Sequence, residues 1–393
     1  MLNLRPEEEL LLQCLRTSID ENTCQRIQSL LGTDVDWANF LQMAIRHSVA
    51  PLLYRKLYPR FQADIPEHIL NRLRKLYFAN LIRNALLTRE LLRFSKLFEE
   101  AGIASIAFKG PVLASAVYGD IGLRGFDDLD IMVHREHMAQ AKRLLYNEGY
   151  RLLFPVHAKQ QTFFLRFHFE HAFQRQDQKV MLDVHWAPFP LYHCLAMDVE
   201  QLWQHARNVL LEGQQIRSLD SEDLFLILCE HGCKHRWERL SWIVDVAGLM
   251  SVNPSLNLLE VLERSKKIGS RRMVSLALYL AADLLQSTLP DEILELINQD
   301  HQVKSLASQV YQQLFCGTEL VAEGLGPDLN AFYLKTMLRR KDQIMPFVAA
   351  LFIPTSLELN LFSLPAAFFF LYILSRPVRL AAKYATVLLK RWA

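Results

Sequence analysis

The segment Asp128-Leu129-Asp130-Ile131-Met132-Val133 constrains this chain more than any other. Its apolar and β-branched residues read as a strand. Side chains alternate across a strand, so Asp128 and Asp130 leave one face together while Leu129, Ile131 and Val133 leave the other. Standing alone, an Asp-x-Asp pair reads first as a solvated strand end. A second segment changes the balance: Val180-Met181-Leu182-Asp183-Val184-His185-Trp186 is another apolar strand holding an acid that burial would normally exclude. Asp183, His185 and Met181 share one of its faces. If the two strands are neighbours, three carboxylates converge, and their repulsion calls for a counter-charge. Hard oxygen ligands suit Mg²⁺ or Mn²⁺, and three of them can hold two metal ions for in-line displacement at phosphorus.

The stretch just upstream fits phosphate chemistry. An apolar strand over Ile103 to Phe108 runs into Lys109-Gly110, and Pro111 suits the first turn of a helix reaching Tyr118. The turn then sits at a helix N-terminus, where free N–H groups attract anions. Lys109 reads as a phosphate contact and Gly110 as a turn that lets phosphate approach closely. Arg124 has two readings: it neutralises a leaving pyrophosphate, or it orients Asp127. Asp127 faces away from Asp128, which makes it a surface residue or the partner of Arg124.

These residues, together with Tyr118-Gly119-Asp120, Leu182 to Trp186, His231-x3-His235-Arg236-Trp237 with Leu240 and Asp245, the helical region around Asp36-Trp37 and the Leu374 to Leu380 element, resemble the bacterial nucleotidyltransferase family of the DNA polymerase β-like superfamily. The likeness covers most of the chain. It implies Asp128 and Asp130 as the first two metal ligands, Asp183 as the third, and Gly110 as the phosphate-contacting turn. The activity implied is transfer of a nucleoside monophosphate from a nucleoside triphosphate to a hydroxyl acceptor, small molecule or protein, with release of pyrophosphate. One departure stands out: the superfamily's Gly-Gly or Gly-Ser turn is Gly110-Pro111 here. Pro111 has no N–H to offer a phosphate, so the charge of Lys109 takes its place.

The pattern along the chain predicts an α+β fold, with a small mixed sheet and flanking helices between two helical regions. Residues 1–100 form a helical lead-in; in Asp36 to Ile45 the apolar positions 37, 40, 41, 44 and 45 follow the helical period behind Asp36 as N-cap. Residues 101–220 form the catalytic domain, with a helix from Arg135 to Asn147, extended chain from Tyr150 to Phe154, and alternation from Phe163 to Phe173 that predicts a strand turning at Gln176-Asp177-Gln178 into the Asp183 strand. Residues 221–393 are helical, opening at the capping sequence Asp220-Ser221.

His231 and His235 lie four apart and share a helix face. They read as cleft residues, with Arg236 beside them, or as packed core histidines; a metalloprotease motif is excluded because Gly232, not Glu, follows His231. Asp245 would orient His235 or Arg236 if one helix continued through Trp242. His185 reads as a residue near the metal or as a histidine packed beside Trp186. Cys229 and Cys233 read as buried thiols rather than a zinc site.

Net charge is only +2, so long nucleic acid is not an expected partner. The acidic run Glu7-Glu8-Glu9 gives no export signal, and a cytoplasmic protein is expected. The apolar segment Leu361 to Leu374 contains Pro365 and falls short of the roughly 20 residues a spanning helix needs. From Arg376 onward, Arg376, Arg379, Lys383, Lys390 and Arg391 occur without an acid; this basic helix either docks on the core or makes weak contact with an anionic membrane surface. Two rivals to the enzyme follow: a nucleotide-binding regulatory module without turnover, and a peripheral membrane-surface adaptor.

Overall fold

The computed structural model describes residues 4–155, 160–190, 197–315, 331–361, 364 and 368–392. Five helices open the chain: α1 (Pro6–Leu15), α2 (Glu21–Leu31), α3 (Trp37–Arg46), α4 (Ala50–Leu57) and α5 (Glu67–Glu100). Their starts are written locally, since Asp20 accepts from the Thr23 N–H and Asp36 from the Asn39 N–H. With 34 residues, α5 extends for about 50 Å at the usual rise. It ends at Gly102, whose φ of +72° breaks the helix without a Cβ penalty.

The central region alternates strands and helices: β1 (Ser105–Phe108), α6 (Gly110–Tyr118), β2 (Asp128–Val133), α7 (Met138–Asn147), β3 (Tyr150–Leu152), α8 (Gln161–Phe167), β4 (Glu170–Arg175), β5 (Met181–His185), α9 (Val199–His205), β6 (Arg207–Leu211) and β7 (Gln214–Ser218). The strands form one seven-stranded mixed sheet in the order β3-β4-β5-β2-β1-β7-β6. Strand β2 lies at its heart, antiparallel to β1 and parallel to β5. The fold is α+β, as the pattern predicts, with the β6–β7 hairpin added beyond β1.

One expectation is corrected. The stretch Phe163 to Phe167 is helical, and only from Glu170 does the chain become a strand. Phe163 and Phe167 meet at i, i+4 with centroids 4.8 Å apart, and Phe163 also packs on Phe369 at 5.6 Å. The aromatics thus find partners at the helical period, which outweighs the alternation.

The remaining helices are α10 (Ser221–Lys234), α11 (Leu240–Val252), α12 (Leu258–Ile268), α13 (Arg271–Leu285), α14 (Asp291–Asn298), α15 (His301–Phe315), α16 (Ala331–Thr336), α17 (Arg340–Phe352), α18 (Ser356–Leu361) and α19 (Phe370–Trp392). The first helices and these later ones share one core, through residues such as Leu11, Phe40, Phe225 and Leu276. A second core lies behind the sheet and takes in the later half of α5. The sheet separates the two according to strand parity: Leu129, Ile131, Val133, Leu182 and Val184 face the second core, whereas Ile106, Phe108 and Met132 join the first. Asp128, Asp130 and Asp183 therefore leave the sheet on the side of the helical core.

The first part of α19 docks on the protein. Tyr372 is fully buried, Leu380 is buried, and Arg376 and Arg379 both pair with the buried Glu358. Lys383, Lys390 and Arg391 have side chains outside the described residues, as do Cys194 and Cys316 entirely. Phe369 packs as a core residue would, but Phe368 and Phe370 are exposed. Among the described residues no helix is long and apolar enough to cross a membrane.

Candidate active site

The site grows from the register of four strands, β1, β2, β4 and β5. Asp130 sits opposite Asp183 across β2 and β5, and opposite Phe108 across β1 and β2. Two residues along, His185 sits opposite Glu170 of β4. Opposite residues share a face, so Asp128, Asp130, Asp183, His185 and Glu170 project to one side. His185 anchors the group: its Nε2 lies 3.0 Å from Asp130 Oδ1 and its Nδ1 3.3 Å from Glu170 Oε2, while the ring meets Phe108 edge-on. Glu170 is a site residue that sequence reasoning missed; its signal was present in the alternation with His171, but only the β4–β5 register brings it to His185.

The electrostatics mark the aspartates as a cluster short of positive charge. Burial raises the Asp183 pKa to about 8, reinforced by Glu170 and Asp130, and its Oδ1 is buried without a hydrogen-bond partner. Burial and then Asp130 push Asp128 up to about 6. Asp130 goes the other way: burial alone would raise it, but Lys109 and the His185 bond hold it below the usual carboxylate range. For His185, burial favours the neutral ring, and the bond to Asp130 together with Glu170 outweighs it, so its pKa is raised. An orphaned buried carboxylate oxygen among all-oxygen donors fits a hard divalent cation. Among the described residues, only His205, Asp220 and Asp223 bring three metal-ligating atoms within 4.8 Å of one another. That trio has another explanation, since Asp220 caps α10 and Asp223 pairs with Arg264 and His205.

The Lys109-Gly110 turn stands beside these acids. Both residues have positive φ, +58° and +40°, and a Cβ on Gly110 would lie 3.5 Å from the Asp128 carbonyl oxygen. The turn is thus pressed against the start of β2. A non-glycine residue in this region costs about 1–3 kcal/mol and is found where the surroundings enforce it. Lys109 is half-buried, and its charge acts on Asp128 and Asp130.

Two expectations about Arg124 and Asp245 change. Arg124 does not pair with Asp127, which is exposed and bonded to Arg83. Instead Arg124 makes a forked pair with the buried Asp245, at 2.8 Å from Nε and 2.9 Å from Nη2, and Tyr118 donates to Asp245 at 2.7 Å. Asp245 does not orient His235 or Arg236 along one helix, because the chain breaks between Lys234 and Leu240, where Arg236 and Trp237 take positive φ. The break depends on Gly232, where a Cβ would come within 2.5 Å of the Trp237 ring. Asn80 and Asn84 of α5 donate to the Arg124 carbonyl oxygen at 3.2 and 2.8 Å and fix the loop leading into β2.

His231 and His235 do share a face; their rings lie 4.7 Å apart and both contact Trp242. His231 is held well below its ordinary pKa by burial and then by the charge of Lys109. Cys229 and Cys233 are buried free thiols.

Comparison with known proteins completes the description. The solution structure of the antibiotic-resistance factor ANT(2'')-Ia is 14% identical, with 48% of this chain and 94% of that chain covered at a TM-score of 0.34. The crystal structure of an antigenic nucleotidyltransferase-like protein from Paracoccidioides brasiliensis is 13% identical, with 57% and 92% covered at a TM-score of 0.30. At such scores neither likeness bears on the argument. No curated protein matches. A family model described as "uncharacterised nucleotidyltransferase" matches residues 33–286, which is more than half of the sequence and takes in both the sheet and the Arg124–Asp245 pair; the chain belongs to that family.

Proposed function

We propose that this protein is a metal-dependent nucleotidyltransferase that moves a nucleoside monophosphate from a nucleoside triphosphate, ATP among them, to a hydroxyl acceptor, with release of pyrophosphate. The observation that carries the reading is the row of Asp130 opposite Asp183 with Asp128 on the same face, beside the Lys109-Gly110 turn. Asp128, Asp130 and Asp183 would hold Mg²⁺ or Mn²⁺, which supplies charge neutralisation at the triphosphate and activation of the acceptor hydroxyl. His185 fixes the Asp130 carboxylate through its 3.0 Å contact, with the Glu170 carboxylate 3.3 Å from its other ring nitrogen. Lys109 and the N-terminal end of α6 bind the triphosphate, with the lysine's charge compensating for the N–H that Pro111 lacks. Arg124, committed to Asp245, acts on the nucleotide through its field at Asp128 rather than as a free phosphate clamp. His231 and His235, with Arg236 beside them, border the cleft and would touch nucleotide or acceptor.

The segments fit this division of labour: 101–220 as the catalytic domain, with 1–100 and 221–393 as helical walls of the cleft. We place the enzyme in the cytoplasm, acting on a small molecule or protein rather than long nucleic acid. The test is pyrophosphate release with each of the four nucleoside triphosphates across a panel of acceptors, with and without chelator. Nucleotide binding without turnover under every condition would leave the regulatory-module reading, which the Gly110-Pro111 turn keeps in view.

A further inference from the structure

We propose that the protein carries a second anion site, separate from the aspartate face, that binds a phosphate monoester borne on an apolar body. A cavity of about 580 Å³ opens where the end of α1, the end of α4 with the chain that follows it, the end of α6 and α11 meet. That volume is typical of pockets for small organic ligands. Its charged wall residues are Arg16, Arg55, Lys56 and Arg60, with no carboxylate among the lining side chains. Lys109, Asp128, Asp130 and Asp183 do not line it.

The four cations have little to balance them. Among the described residues, none forms an ion pair: Arg16 donates to the Thr23 hydroxyl at 3.0 Å, Lys56 donates to the Arg16 carbonyl oxygen at 3.2 Å, and Arg60 lies over the Phe61 ring. The nearest acids acting on Arg16 are otherwise engaged, since Asp20 caps α2 and Glu9 forms a fork with Arg26. Burial lowers the pKa of Arg16 and of Lys56, as expected of half-buried cations short of counter-charge. Three guanidinium groups and an ammonium lining one cavity suit a doubly charged phosphate better than a single carboxylate.

The apolar part of the lining explains the apolar body. Leu15 and Leu52 are buried, and Val117, Val244 and Val252 present hydrocarbon to the cavity. An inorganic anion would leave that surface wet, whereas the apolar body of a phosphate ester covers it. Tyr118 lines the cavity and donates to Asp245, so the site adjoins the Arg124–Asp245 pair without sharing the aspartates.

The experiment is calorimetric titration of the full chain with hexyl phosphate, inorganic phosphate and hexanol, beside sedimentation with phosphatidic acid vesicles. Hexyl phosphate should bind saturably and at least tenfold more tightly than inorganic phosphate or hexanol. Arg55→Glu with Arg60→Glu reverses two exposed charges and should weaken it at least tenfold with unchanged melting temperature. Val252→Glu, at an exposed position of the apolar lining, should do the same. Asp130→Asn should leave the affinity within twofold. Vesicle binding lost in the same variants assigns the ester to a lipid headgroup; hexyl phosphate binding without vesicle binding assigns it to a soluble ester. The proposal is overturned by absent saturation, by equal affinity for inorganic phosphate, or by binding that Asp130→Asn abolishes and the two charge reversals do not.

Discussion

Asp130 and Asp183 lie opposite each other in register on adjacent parallel strands, one strand spacing apart. Their different surroundings push their proton affinities apart: Asp130 is bonded by His185, whereas Asp183 Oδ1 has no partner and its pKa rises to about 8. The folded state therefore holds a proton on Asp183 that the unfolded chain, with a carboxyl pKa near 3.9, has released. Metal-free stability from this group is greatest in acid and is lost as pH rises from about 4 to 8, by about 1.4 kcal/mol per pH unit. Asp183→Asn should thus raise the metal-free melting temperature, more at pH 8 than at pH 5. Mg²⁺ should stabilise the wild type and leave the variant nearly unmoved. Thermal melts at the two pH values, with metal and with chelator, check both statements.

The Arg124–Asp245 pair ties the loop before β2 to α11. Both groups are almost completely shielded, with side-chain exposures of 11% and 1%. Removing one partner leaves a buried charge, which costs about 3–5 kcal/mol. Asp245→Ala should lower the urea midpoint accordingly, and Arg124→Met added to Asp245→Leu should recover most of the loss. Because Arg124 also lowers the Asp128 pKa, the double variant should bind nucleotide less well while remaining folded; calorimetry with a nucleoside triphosphate separates the two effects.

Histidines whose pKa burial depresses contribute to the acid limit. Burial holds His47 and His168 near pKa 4 and His171 near 3. Below pH 6.5 the unfolded chain protonates these rings first, so stability is full above 6.5 and falls as pH drops toward 4, by about 1.4 kcal/mol per pH unit for each ring. His171→Phe keeps the stacking against Phe164 and should flatten this slope between pH 6.5 and 4.5, read from urea midpoints.

What was legible in the sequence follows the reach of each signal. The period of two placed Asp128 with Asp130, and Asp183 with His185, on one face of their own strands, and local caps such as Asp36 and Asp220 located helices, because these signals lie within a few residues; the β2–β5 register joins the two faces. Phe163 to Phe167 misled because a dense aromatic run satisfies both periods until Phe369 and Tyr372 are in place. Glu170 and Arg124–Asp245 depend on contacts across distant sequence, 121 residues in the latter case, and no local pattern encodes a partner. The β6–β7 hairpin escaped because its turn is Glu212-Gly213, both at positive φ, rather than the usual Asn-Gly.

The central claim is that Asp130 belongs to a metal-holding catalytic row while its neighbour Asp127 does not. Pyrophosphate release by Asp130→Asn and Asp127→Asn, measured beside wild type in Mg²⁺ with the acceptor that gives turnover, tests it most directly. Asp130→Asn keeps the shape and removes the charge, and should lower the rate by about 10²–10³ or more. Asp127 is exposed and paired with Arg83, so its variant should remain close to wild type. Loss of activity in Asp127→Asn with retention in Asp130→Asn would contradict the account and move the catalytic face to the other side of β2.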